Sequence, residues 1–536
     1  MAERLDKALV IARSGLVGPL RPDKYLRMGA VARKYGATAL VGVSLAAQRR
    51  PEGIAIVDER GALTWRELDR RTDALAVALA AHLPAEKRRI GLLARNHRGF
   101  VETLVASGKL GADLVLLNTA FAGPQLVEVL GREDVDVLVY DQEYAAALAT
   151  LPSAPEGPTQ VVAWEEEPAD GLTVDGLIAA ELGRTPPRSG STPHVILLTS
   201  GTTGTPKGAK RAAGGGAGDL VAAIERVPWR TEDTLVVAAP MFHAWGFGCL
   251  VLGATMANTI VMRRHFDPEQ TLAMAARHRA SGLGVVPVML ERIMALPEAV
   301  RRRYPLPALR YVTASGSAME PSALTAFMDE FGDVVYSHYN ATEAGMIATA
   351  TPEDLRADPR SAGRAVRGCE LRIVDDSGTV LSSGEVGQIA VLNSTPFEGY
   401  THGGGGGGKD SLDGYMLTGD LGRIDVSGRL TVEGRVDDMI ISGGENVYPA
   451  EVEAVLSAHP AVVEAAVIGV PDDKFGQRLK AFVVLAPGAG DDDHVEVLRG
   501  HVRDELANYK VPREIVVLDE LPRNASGKVV KRELPD

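Results

Sequence analysis

Between residues 51 and 150, short apolar runs alternate with stretches of helical period, and this alternation limits the fold more than any other feature. "GIAIVDERG" reads as a strand and turn, "LTWRELDRRTDALAVALAAHL" as a helix, "RIGLLARN" as a strand, "RGFVETLVASGKLGA" as a helix and "DLVLLN" as a strand. A parallel strand pair needs a long crossover, and a helix is the compact way to make one. The pattern therefore predicts an α/β fold of packed, substantially parallel sheets. "DVDVLVYD" and "HVILLTS" continue the series. Residues 151–192, rich in Pro, Ser and Glu, read as a surface connection.

The texture changes near residue 365. "CELRIVDDSGTVLSSGEVGQIAVLN" consists of short alternating runs with Gly and Ser turns, which predicts a β-rich module over about 365–434. The glycine run "HGGGGGGKD" matches any glycine pattern, but no apolar strand leads into it, so it is no dinucleotide fingerprint. Residues 435–536 read as a small α+β lid. There "PAEVEAVLSAHP" turns Val452, Val455 and Leu456 inward. "HVEVLRGHVRDELANY" sets Val495, Leu498, Val502 and Leu506 on one helical stripe. The expected organisation is an N-terminal domain, 1–434, and a mobile C-terminal lid, 435–536. A chain of 536 residues has room for both.

Composition removes several function classes. A net charge of −13 argues against sequence-independent nucleic-acid binding, which needs a basic face. The cysteines, Cys249 and Cys369, form no disulfide framework or cysteine metal site and suit a reducing, cytoplasmic location. Residues 234–262 contain no Asp, Glu, Lys or Arg, a length that could span a bilayer. Pro240, His243 and Asn258 interrupt them, however, so a strand, an irregular loop and a buried helix are expected. The first residues mix Glu3, Arg4, Asp6 and Lys7 and lack the apolar core of a signal peptide. Peripheral membrane contact through residues 1–30 and a homodimer both stay open.

The stretch "TSGTTGTPKG", 199–208, begins where the apolar run "HVILLTS" ends. It departs from the P-loop pattern, since Pro206 stands five residues after Gly201 and Ala209 five after Gly204. Glycines still let a backbone approach an anion closely, hydroxyls and amides donate to it, and Lys207 adds charge. A triphosphate fits such a loop, and so does a plain polar turn. The chain has no G-x-S-x-G and no H-E-x-x-H, so neither a serine hydrolase nor a zinc hydrolase is supported.

"LLTSGTTGTPKGAK" resembles the signature loop of the adenylate-forming (AMP-binding) superfamily, and further segments resemble its other motifs in order. These are "PMFHAWG" (240–246), "TASGSAM" (313–319), "HYNATE" (338–343), "GYMLTGD" (414–420), "GRVDDMIISGGENVYPAEVE" (434–453) and "PRNASGKVVKREL" (522–534). The resemblance implies that Thr199, Ser200, Gly201, Thr202, Thr203 and Gly204 wrap the outer phosphates of ATP, with Lys207 auxiliary. Thr342 would contact the α-phosphate, and Glu343 would hold Mg²⁺, a hard ion that prefers oxygen. Gly316, Ser317 and Ala318 would border the adenine, and Tyr339, flanked by His338 and Asn340, would stack on it. Asp420 would accept from the ribose hydroxyls, Arg435 would donate to them, and Lys528 would steady the transferring phosphoryl group. Asp437 would be the hinge, while Gly443 and Gly444 leave room for the pantetheine arm of coenzyme A. His243 would gate the acyl tunnel, and Trp245, Phe247 and Met319 would line an apolar pocket.

The implied activity is that of an ATP-dependent acyl-CoA synthetase, with a medium- or long-chain fatty acid as first expectation. An aryl-acid CoA ligase and an acyl-AMP ligase that loads a carrier protein are alternatives. An inactive ATP-binding scaffold is the non-enzyme alternative, and intact Glu343, Asp420, Arg435 and Lys528 weigh against it. Two departures stand out. Asn340 replaces the glycine usual after the motif tyrosine, and Met416 and Leu417 stand where an aromatic and a basic residue are common.

Overall fold

A computed structural model describes the chain except for residues 1, 36–40, 86–87, 122, 153–155, 188–191, 200–206, 213–216, 342–343, 394–400, 402–410, 437, 443–444, 473–475, 487–490, 525–526 and 536. The expected α/β alternation is present as two sheets. The first has seven strands in the order 172–173, 159–164, 137–141, 89–93, 113–116, 194–199 and 207–212. All neighbours are parallel except the last pair, where 207–212 returns antiparallel on 194–199. The strand Thr159–Trp164 corrects the reading of 151–192 as a surface connection: Val161 to Trp164 are buried within the sheet. Its six residues are a short β-forming run, and the average composition of the polar flanks conceals it.

The second sheet is larger. Its parallel run is ordered 54–58, 259–262, 234–237, 282–285, 311–315 and 335–341. Beyond 335–341 the pairing turns antiparallel, through 345–350, 361–365, 430–435, 415–424, 387–393 and 369–374. The β-rich stretch expected near 365 thus extends this sheet through backbone hydrogen bonds. Residues 234–262 form the strand Thr234–Val237, a loop, the helix Ala244–Thr255 and the strand Thr259–Met262. Among the described residues no helix is long and apolar enough to cross a membrane.

Local chemistry sets these elements. The helix Trp65–Ala80 opens on a reciprocal cap, in which the Glu67 carboxylate accepts from the Thr64 amide at 2.7 Å and the Thr64 hydroxyl accepts from the Glu67 amide at 3.2 Å. Trp65, Leu68, Leu75 and Leu79 then fall on one face and are fully buried between the two sheets. The topology also creates a crevice. From 234–237 the chain passes to its neighbour 259–262 on one side, then crosses back to 282–285 on the other. Connections leaving in opposite directions open a gap at the carboxyl ends of 234–237 and 282–285, the place where open parallel sheets take ligands.

The C-terminal region folds around a core of its own. Strands 445–447, 440–442, 476–485 and 462–472 form a sheet, and 514–517 adds to 476–485. Helices Pro449–Ser457 and Asp491–Glu505 cover it with Val452, Leu456, Leu498 and Val502, all fully buried. Val455, Val495 and Leu506 pack at the margin, as the helical stripe required.

Candidate active site

Two loops far apart in sequence meet at the crevice. Val286 follows the strand Gly282–Val285, and Pro287 opens the helix Pro287–Met294 directly after it. Gly316 follows the strand Tyr311–Ser315 with φ +115°, a backbone that side chains disfavour. A Cβ on Gly316 would lie 3.9 Å from Val286 Cγ1. Gly527 belongs to a tight turn: its amide donates to Asn524 O at 2.8 Å, the Asn524 amide donates to Lys528 O at 2.9 Å, and Arg523 Nη1 donates to Gly527 O at 2.6 Å. Its φ is +80°, and a Cβ there would lie 2.3 Å from Val288 Cγ1 and 3.7 Å from Val286 Cγ2. Only glycine lets this turn settle on Val286 and Val288. Lys528, the next residue, is exposed.

A second group surrounds Asp420. The strand Tyr415–Ile424 pairs with Leu430–Arg435 so that Asp420 faces Arg435. Arg435 Nη1 lies 3.3 Å from Asp420 Oδ1. The Tyr339 hydroxyl donates to the other carboxylate oxygen and lies 3.2 Å from Thr418 Oγ1. Burial, reinforced by the negative charge of Asp420, holds the Tyr339 hydroxyl well above its ordinary pKa, so it stays a donor. Asp420 is therefore a largely buried carboxylate whose oxygens already receive donors, and a diol could take the same places.

Asn340 and His243 present polar atoms of another kind. His338 is buried, with Nε2 at 2.7 Å from Thr313 Oγ1 and Nδ1 at 3.0 Å from Thr349 Oγ1, so both ring nitrogens are engaged inside the protein. Ser315 Oγ donates to His338 O at 2.8 Å, and Asn340 Nδ2 lies 3.1 Å from Ser315 Oγ. Because the serine proton points at the carbonyl, Ser315 can only accept from Asn340. This fixes the amide, with Nδ2 toward Ser315 and Oδ1 away from it. Oδ1 is buried without a partner among the described residues, and so is His243 Nε2. Trp245 stacks 4.6 Å from the His338 ring, with its indole nitrogen 3.4 Å from Thr313 O. Trp245 and Met319 both pack against the core on the far face of the large sheet, whereas Phe247 packs only into the core between the sheets.

Burial pushes the His243 imidazole down to about 4 and the His338 imidazole down to about 3. Unfolded histidines titrate near 6.5, so between these values the unfolded chain binds more protons than the folded one. Their stabilisation is complete above about pH 6.5 and is lost as the pH falls toward 4. For His243 the loss from pH 7.5 to pH 5 is roughly 2 kcal/mol. Urea unfolding at both pH values is expected to show it, and His243→Gln is expected to remove that share. An unchanged pH slope in the variant would contradict the neutral, buried assignment.

Other expected site residues are placed as follows. Thr199 closes the strand His194–Thr199 and Lys207 opens the strand Lys207–Ala212, the two facing each other in an antiparallel pair. Ser200, Gly201, Thr202, Thr203, Gly204, Thr342, Glu343, Asp437, Gly443 and Gly444 lie outside the described residues. Ser317 and Ala318 are exposed in the loop after Gly316. Sequence reasoning missed Val286, Val288, Ser315 and Thr418. Of these, Thr418 carried a signal through its place in "TGD" and Ser315 through its place in "TASGSAM".

Comparison with known proteins gives the family. The family description "AMP-binding enzyme" matches residues 43–401, and "AMP-binding enzyme C-terminal domain" matches residues 451–528. Indoleacetate–CoA ligase of Aromatoleum aromaticum is 34% identical over 478 residues, 88% of this chain and 92% of that protein. 2-Succinylbenzoate–CoA ligase of Geobacillus kaustophilus is 35% identical over 485 residues, 90% and 95% of the two chains. The crystal structure of the anthranilate CoA ligase AuaEII in complex with anthranoyl-AMP superposes with a TM-score of 0.83 at 26% identity, over 92% of this chain and 95% of that one.

Proposed function

The chain belongs to the AMP-binding enzyme family, and from that premise we propose that it joins a carboxylic acid to coenzyme A by way of an acyl-adenylate. A carboxylate oxygen attacks the α-phosphorus of ATP, and the bond to pyrophosphate breaks. The thiol sulfur of coenzyme A then attacks the acyl carbon and loses its proton, and AMP leaves with the former carboxylate oxygen. The observation that supports this reading is that Gly316 and Gly527 both come against Val286, the residue after the strand Gly282–Val285, and Lys528 directly follows Gly527. Two anions must approach one another in the first step, and a cation delivered to that point stabilises the charge that develops.

In this reading Asp420 and Arg435 hold the ribose, Tyr339 and the loop of Gly316, Ser317 and Ala318 border the adenine, and Thr199 to Gly204 with Lys207 receive the phosphates. Thr342 touches the α-phosphate, and Glu343 holds Mg²⁺, which would supply further positive charge. Residues 1–434 and 435–536 act as two domains hinged at Asp437. Rotation about it replaces Lys528 by the Gly443–Gly444 segment, which admits the pantetheine arm.

For the acid, an aromatic carboxylate replaces the fatty acid that the apolar motif residues suggested. The relatives named above are ligases of aromatic acids. The buried Asn340 Oδ1 and His243 Nε2 also favour a substrate with polar atoms, because a plain alkyl chain would leave both unsatisfied at about 1–3 kcal/mol each. A pyrophosphate-release screen tests the reading with aryl acids carrying an N–H or O–H group, their unsubstituted counterparts, and medium- and long-chain fatty acids. The substituted aryl acids are expected to give the highest kcat/KM. Asn340→Gly is expected to narrow their advantage over the unsubstituted acids by about tenfold or more. A preference for fatty acids in both proteins would overturn the aromatic assignment, and acyl transfer to a holo-carrier protein but not to coenzyme A would overturn the acceptor.

A further inference from the structure

The first two helices, Ala2–Ser14 and Pro22–Tyr35, precede the family match and take no part in the site described above. Residues 1–35 hold eight Lys and Arg against three Asp and Glu, a net +5 within a chain of net −13. The corner between the helices is fixed to the protein body. The Thr231 amide donates to Ser14 O at 2.9 Å, and the Arg49 guanidinium donates to Leu16 O at 3.0 Å and to Gly15 O at 2.9 Å.

The outward face of this corner carries exposed apolar side chains among its cations. The helix Pro22–Tyr35 has no buried residue. Leu9, Val17, Tyr25 and Leu26 are 47%, 66%, 43% and 77% exposed. These four fall within eighteen positions; among the described residues the other exposed large apolar side chains are Val380, Val386 and Leu392 in the β-rich stretch and the separate Leu182, Val426, Val463, Val497 and Tyr509. Leu26, Ala30 and Arg33 follow at helical spacing along the exposed stripe, so the apolar line ends in a cation. Beside it runs a groove of about 280 Å³, lined by the cations Arg21, Lys24, Arg27, Arg66 and Arg70, with Asp23 and Asp69 on its wall. Asp23 already pairs with both Arg21 and Arg27, Arg66 pairs with Glu52 at 2.7 Å, and Lys24 Nζ donates to Arg49 O at 2.7 Å.

We propose that this face docks the protein on a membrane surface containing anionic phospholipid. The cationic groove receives phosphate headgroups, while Leu9, Val17 and Leu26 enter the boundary between headgroups and acyl chains. Interfacial helices bind by this combination of apolar area and basic flanks, each surface cation adding to the attraction of an anionic leaflet. A second copy of this chain fits less well, because a two-fold contact would oppose the positive face to itself. A phosphate-bearing polymer would use the groove but leave the apolar ridge in water.

The experiment is co-sedimentation of the full chain with vesicles of phosphatidylcholine alone or mixed with phosphatidylglycerol. Binding is expected to the mixed vesicles and not to phosphatidylcholine, and to weaken as salt rises. Val17→Asp with Leu26→Asp, and separately Arg66→Glu with Arg70→Glu, are each expected to lower binding by about tenfold or more. Adenylation in solution is expected to stay unchanged in both, which shows that they fold. Absence of vesicle binding, equal binding to both vesicle types, or full binding by both variants would overturn the proposal. So would self-association of the native chain that the same substitutions abolish. None of these readouts depends on the acid substrate.

Discussion

Lys528→Ala is expected to slow acyl-adenylate formation by about 10²–10³-fold, a loss of roughly 3–4 kcal/mol of transition-state stabilisation. Thiolysis of acyl-AMP supplied from outside is expected to change little. The split follows from where the lysine sits: its turn rests on Val286 and Val288 at the carboxyl end of the strand Gly282–Val285, and in the proposed mechanism the second half-reaction turns that loop away. Gly527→Val, which puts a side chain where a Cβ already lies 2.3 Å from Val288 Cγ1, is expected to show the same split without removing the charge. Rapid-quench measurement of the two half-reactions separates them. Equal loss of both in either variant would show that the loop serves the fold and not the first step.

Asp420→Ala carries the second large effect. The substitution removes the proposed acceptor for the ribose hydroxyls and leaves the Arg435 charge and the Tyr339 hydroxyl without their carboxylate. The KM for ATP is expected to rise by about 100-fold, near 2.7 kcal/mol, and the protein to lose about 1–3 kcal/mol of stability. Asp420→Asn keeps the shape and one acceptor, so it is expected to recover most of the stability but only part of the ATP affinity. Isothermal titration with ATP alongside urea unfolding distinguishes the two losses. Unchanged ATP binding in Asp420→Ala would remove Asp420 from the nucleotide site.

Much of this architecture was legible because periodicity is local. The alternation over 51–150 and the stripe of Val495, Leu498, Val502 and Leu506 depend on neighbours a few residues away, and the structure contains both. Thr159–Trp164 escaped notice because six β-forming residues vanish in the composition of a polar segment. The meeting at Val286 was not legible for a different reason. It depends on the chain crossing from 259–262 over 234–237 to 282–285, a choice of sheet order that no short segment encodes.

The same limit applies to side-chain chemistry. The departure at Asn340 was visible as a letter, but its meaning depends on where the Ser315 proton points, and that is set by His338 O on a neighbouring strand. Tyr339 was expected as a stacking surface. Its hydroxyl also bonds Asp420, eighty-one positions later, and so ties the residue proposed to border the adenine to the one proposed to hold the ribose.

The central claim is that an acid is activated by transfer of AMP to its carboxylate and then passed to coenzyme A. The most direct measurement uses an aryl acid labelled with oxygen-18 in its carboxylate, together with ATP and coenzyme A, and reads the products by mass spectrometry. The account predicts one labelled oxygen in the AMP, unlabelled pyrophosphate, and the thioester retaining the other label. Formation of ADP, or AMP free of label, would contradict it.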